Sequence, residues 1–124
     1  MADEELGELL SRCTNLAARK RRATDAGNSL AANRAYDELE ECYRKIIALG
    51  DRGRTGLLSL LESSDEGVRK WAAVVSLPFA PDLAVPALEK VASGRHGLLS
   101  FEANVALSQF RAGRFKLYGE GKDR

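Results

Sequence analysis

A chain of 124 residues, 44% hydrophobic and 30% charged, is long enough for one domain with its own core and needs no disulfide or metal staple. Nineteen basic against eighteen acidic side chains leave a formal charge of +1, so no global field drives the molecule onto nucleic acid or anionic lipid. An acidic Met-Ala-Asp-Glu-Glu start is unlike a signal peptide, and no apolar run approaches the ~18–20 residues of a membrane span, which makes the cytoplasm the expected setting.

From Glu4 to about Lys20 the apolar residues Leu6, Leu9, Leu10, Cys13, Leu16 and Ala17 follow the i, i+3, i+4, i+7 spacing of an amphipathic helix. It runs into Arg19-Lys20-Arg21-Arg22, cations that complement a helix C-terminus, and the pattern decays through 24–29. Asn28 or Ser29 is the expected cap of a second helix, with Ala32, Tyr36, Leu39, Tyr43 and Ile46 on its stripe and Gly50 at its end. So short a connection predicts an antiparallel hairpin. Its seam should hold Cys13 and Cys42, free thiols without Cys-x-x-Cys spacing.

Asp51 suits the cap of a third, short helix through Glu62, and Ser63-Ser64-Asp65-Glu66 reads as a capping box opening a fourth. Val68, Trp71, Ala72 and Val75 form the buried stripe of that helix, with Trp71 expected in the core, and Pro78 ends it. Pro81 and Asp82 suit the start of a fifth helix, but Pro86 would remove a bond from its second turn. The expectation is a kink or a start nearer Leu83, with Leu83, Ala84, Ala87, Leu88 and Val91 on the apolar face. A sixth helix is expected from about Gly97 to Ala112, with Leu98, Phe101 and Val105 beside Leu99, Ala103, Ala106 and Phe110. Beyond it Phe115, Leu117 and Tyr118 are candidates for docking on the body or on a partner, and 119–124 carry the composition of disorder.

The stretch 57–77 aligns with 87–107 at an offset of thirty residues. Leu58 falls on Leu88, Leu61 on Val91, Gly67 on Gly97, Val68 on Leu98, Trp71 on Phe101, Ala73 on Ala103, Val75 on Val105 and Leu77 on Leu107. A period of that size is the mark of stacked helical units that share apolar faces.

Leu57, Leu60, Leu61, Asp65, Val68, Arg69, Ala72 and Ala73 carry a resemblance to the HEAT repeat, from which the second copy departs with Arg95 and Leu99. The chain from Leu6 to Phe115, with Asn33-Arg34-x-Tyr36-Asp37, Arg69-x-Trp71-Ala72-Ala73 and Phe110-Arg111-Ala112-Gly113, resembles a bacterial family of short armadillo/HEAT-like proteins to which no activity is assigned. The resemblance implies an all-α fold, a short right-handed α-α superhelix of about six helices in three antiparallel hairpins. Residues 1–115 would form one domain (1–50 the N-terminal hairpin, 51–79 and 80–115 the two HEAT-like units) and 116–124 a tail. It also implies that Asp65 and Arg69 form a structural ladder between neighbouring units.

Arg52, Arg54, Lys70, Arg95 and His96 fall at turns and second-helix starts, where stacking would align them along one binding edge. The run Arg19–Arg22 reads first as a solvated helix end, with Glu38, Glu40 and Glu41 near enough to satisfy it; those acids with Asp37 read first as charge for solubility, with a metal or a basic partner as the alternatives. No nucleophile–base pair, Gly-rich phosphate loop or metal-ligand spacing occurs, so neither a reaction, a cofactor nor a metal is implied. The reading is a non-enzymatic protein-interaction module, monomeric or homodimeric, of the inhibitor or antitoxin-like kind. A weak nucleic-acid binder using Arg19–Arg22 and the turn arginines is the alternative, and a reduced helical-repeat glycosylase a distant third.

Overall fold

The computed structural model describes residues 2–95 and 97–115. Among these the chain forms six α-helices and no strand: α1 (Ala2–Asp25), α2 (Ser29–Ile47), α3 (Asp51–Ser59), α4 (Glu66–Ser76), α5 (Pro81–Ala92) and α6 (Leu98–Arg111), with a single 3-10 turn, Leu60–Glu62, between α3 and α4. No helix among them is long and apolar enough to cross a membrane. His96 lies outside the described residues, as do the tail, with Leu117 and Tyr118, and the expected disorder of 119–124.

α1 and α2 pair antiparallel. Arg12 meets Glu38 at 3.3 Å, and the Cys42 thiol donates to the Leu9 carbonyl at 3.2 Å. Both cysteines are free and buried on this seam, where hydrogen bonding to Cys42 and burial push the Cys13 thiol upward and keep it protonated. Cys13, Leu16 and Ala17 of α1 join Leu39, Cys42 and Ile46 of α2, Leu57 of α3, and Val68, Trp71, Ala72 and Val75 of α4 in one core cluster. A second cluster takes Ala73 and Leu77 with Ala84, Leu88 and Val91 of α5 and Leu99, Ala103, Ala106 and Leu107 of α6.

Capping follows local chemistry. Asn28 caps α2 by accepting from the Ala31 amide. α4 is capped by Asp65, which accepts from Val68 N at 3.1 Å, and not by Ser63; the Ser63 hydroxyl instead accepts from the Asp65 amide and shapes the turn before the helix. Asp51 is the first residue of α3 rather than its cap. Gly50 holds that place with φ +74°, a left-handed backbone that turns the chain out of α2. α5 begins at Pro81, because a proline at N1 forfeits no intrahelical bond, and runs on through the exposed Pro86, which lacks the amide for one bond of the ladder. Leu83 is exposed beside it and is no part of the buried face. At the C-terminal end Phe115 docks on the body, edge-on to Phe110 with ring centroids 6.3 Å apart.

Trp71 and Phe101, aligned in sequence, lie in α4 and α6 in different environments. Trp71 is 7% exposed and stacks edge-on against Tyr43 at 6.5 Å, while Phe101 is 62% exposed. The cause is what lies opposite. Val68, Trp71 and Val75 face the N-terminal hairpin, whereas the matching Leu98, Phe101 and Val105 of α6 are exposed among the described residues.

Two glycines in helices separate packing from propensity. A Cβ at Gly53 would collide with the Ile46 carbonyl, so α3 crosses the end of α2 at a distance only glycine permits. Gly7 is exposed within α1 and has nothing near it. Gly53→Ala is expected to lower unfolding free energy in urea by about 3 kcal/mol or more, the range of serious core overpacking. Gly7→Ala should raise it by roughly 0.5–1 kcal/mol.

Candidate functional site

The last turns of α1, which ends at Asp25, lie against the start of α4. The close approach depends on Gly67, where a Cβ would lie 3.0 Å from Arg21 Cδ and 3.1 Å from Arg21 Cβ. Between this end of α1, the flank of α2, α4 and the first turns of α6 lies a cleft of about 170 Å³. Its walls are Ala17, Leu39, Trp71, Val74 and Leu99 on the apolar side, and Lys20, Arg21, Thr24, Asp25, Tyr36, Lys70 and Glu102 on the polar side.

Lys70 is the unusual member. Its side chain is only 16% exposed, and its Nζ donates to Glu102 Oε1 at 3.0 Å. Burial pulls its pKa below the ordinary lysine value, an effect that Glu102 opposes and Lys20 reinforces. Arg21 Nε is buried and hydrogen-bonded to nothing, although Asp25 Oδ2 stands 3.5 Å away as an ion-pair partner one turn on. Burial, then Glu40 and Asp37, raise the Tyr36 hydroxyl above its usual value and leave it a neutral donor.

Outside the cleft the apolar surface continues. Leu98 (45% exposed), Phe101 and Val105 (37%) run along α6 at the spacing of one helix face, and Tyr36 stands across from them on α2. Lys20, Tyr36 and Glu102 border both the cleft and the shallow grooves that flank it, so cleft and stripe form one continuous depression.

The candidates named from sequence are dispersed. Lys70 is in the cleft, but Arg52, Arg54 and Arg95 line none of its walls. Arg54 pairs with Asp51 at 3.1 Å, and Arg52 and Arg95 are exposed. Asp65 and Arg69 make bonds within a single unit, Asp65 to the Val68 amide and Arg69 to the Ser63 carbonyl at 2.6 Å. The Arg19–Arg22 run divides. Arg19 and Arg22 are exposed, while Lys20 and Arg21 turn into the cleft. Tyr36 and Glu102 were not legible as site residues, and Lys20 and Arg21 were named only as part of the basic run, whose winding around the helix sends its middle two members inward. Among the described residues no three His, Cys, Asp or Glu side chains converge as a metal site requires.

The described residues form an all-α fold of six helices with a recessed surface between α1, α2, α4 and α6. No protein-family model matches the chain. The search of curated proteins gives no match. The crystal structure of the protein RPA1889 from Rhodopseudomonas palustris CGA009 is similar, with a TM-score of 0.83 and 26% identity over 91% of this chain and 93% of that one. The likeness spans nearly the full length of both, and extends to the whole arrangement of helices.

The Lys70 charge has a definite consequence for stability. Below its depressed folded-state pKa the native protein holds a desolvated ammonium that the unfolded chain would solvate. Between that pKa and 10.5 the unfolded state binds the extra proton, so this contribution to stability rises with pH across the window. Lys70→Met is therefore expected to match or exceed wild type in thermal unfolding at neutral pH, by up to about 1–2 kcal/mol. The difference should narrow as the pH approaches 10; a variant clearly less stable than wild type at pH 7 would show the Lys70–Glu102 pair to be a net stabiliser.

Proposed function

We propose that the chain is a small, non-enzymatic, HEAT-like interaction module that receives an amphipathic helix of another protein along the α6 stripe. One observation carries the reading. The thirty-residue register places Leu98, Phe101 and Val105 at the positions where Val68, Trp71 and Val75 are covered by a helical hairpin, and in α6 no helix among the described residues covers that face. A sequence that repeats a buried stripe and leaves one copy open presents the surface a neighbouring helix would fill, read as anchors at i, i+3 and i+7.

Each apolar side chain of this size contributes about 1.5–3 kcal/mol on full burial, before the cost of association is subtracted. Flanking polar groups, Lys20 on one side and Gln109 on the other, supply a rim. Two buried free thiols suit a reducing, cytoplasmic setting. Nucleic-acid binding is the weaker reading, because the basic run that suggested it turns Lys20 and Arg21 inward and leaves only Arg19 and Arg22 of the four exposed.

The test is crosslinking of the protein to its partners in the native host, followed by mapping of the linked residues. Links should concentrate on α6 and on α2 near Tyr36. Phe101→Glu should abolish association while changing unfolding free energy by no more than about 0.5 kcal/mol, as expected for a substitution at an exposed position. Association that survives Phe101→Glu, or that decays with log salt as phosphate contacts do, rules the reading out.

A further inference from the structure

We propose that the cleft beneath the stripe is a binding site for a small organic monocarboxylate whose body is about the size of a single ring. This goes beyond the docking of a partner helix, and neither depends on the other.

Size sets the first limit. The cleft measures about 170 Å³, close to the roughly 150 Å³ engineered cavity that accepts benzene in another protein. That is room for one ring and a short acid arm, and too little for a nucleotide. Chemistry sets the second. One side of the cleft offers Ala17, Leu39, Val74, Leu99 and the Trp71 ring, which a bare inorganic ion would leave unused.

Charge sets the third. Lys20, Arg21 and Lys70 face Asp25 and Glu102, so the lining carries one positive charge more than it neutralises, the complement of a single carboxylate rather than a dianion. Lys70 has three ammonium donors, and Glu102 takes one at 3.0 Å. The Lys20 ammonium and the Arg21 guanidinium line the same cleft, so a carboxylate that accepts from a remaining Lys70 donor sits among cations. Lys20, Tyr36 and Glu102 stand where the cleft meets the neighbouring grooves, which gives the ligand a way in.

Trp71 is the only tryptophan of the chain and lines the cleft, so its fluorescence reads occupancy directly. The probes are phenylacetate, its neutral isostere phenylacetamide, and inorganic phosphate, titrated into the full chain with calorimetry as a second readout. Phenylacetate is expected to give a saturable change with Kd on the order of 1 mM or tighter, and phenylacetamide and phosphate to bind at least about tenfold more weakly. Lys70→Met and, independently, the half-exposed rim variant Lys20→Met should each weaken phenylacetate by about tenfold or more with the unfolding transition preserved. No saturable response to phenylacetate, equal affinity for the amide, tighter binding of phosphate, or full affinity in both variants would each overturn the assignment. Because none of these measurements involves Phe101, their failure leaves the helix-docking surface standing, and failure of the Phe101→Glu test leaves the cleft standing.

Discussion

The fold depends on α4 being buried on both sides. Val68, Trp71, Ala72 and Val75 enter the cluster built by α1, α2 and α3, while Ala73 and Leu77 enter the cluster of α5 and α6. An eleven-residue helix has too little intrinsic stability to stand alone. It is held because two separate cores close on it, and those cores are joined to each other chiefly through it. Its small residues make the double packing possible: Gly67 lets Arg21 of α1 lie against the first turn, and Ala72 and Ala73 are wholly buried between the two clusters.

The cleft is a consequence of the same arrangement. α1 reaches over the start of α4 and α6 packs beside its far flank, but the two do not close on each other, so α4 forms a floor between them. At that gap the repeat changes character. Ala72, buried in the hairpin-covered copy, is matched in α6 by Glu102, which pairs with Lys70. An alanine there would have left Lys70 as an uncompensated buried charge, and a fully apolar gap would have collapsed or stayed dry. The depression thus has a polar wall and an apolar wall where it is deep, and the apolar α6 stripe where it is shallow.

Most of the secondary structure was legible because apolar spacing and caps act locally. Leu6 to Ala17, the Asn28 cap, Gly50 and Pro78 each fix their element with information from a few neighbours. What periodicity does not carry is the identity of the neighbour. Trp71 and Phe101 share a register, and only the presence of the hairpin opposite one of them decides which is covered. Gly67 and Gly97 also align, yet Gly67 is needed for the approach of Arg21 and Gly97 for a backbone φ of +55° ahead of α6. The same limit applies to the site. Lys70, Lys20 and Arg21 come from two runs of charge that are ordinary on a helix surface, and Glu102 from a third helix, so their convergence exists only in the packed structure.

Lys70 is the position at which local choice and fold stability disagree. Its aliphatic stem packs well enough for the surrounding helices, and a methionine would fill that volume without carrying a charge out of water. The chain instead keeps an ammonium there, supplies Glu102 to hold it, and adds Lys20, which makes the charge harder to bear. Pairs such as Arg12–Glu38 and Arg111–Glu89 lie exposed, where they cost little and contribute little. A sequence consistent with its fold at nearly every other level, and inconsistent at one desolvated cation lining a cleft, is best explained by something that the cation binds.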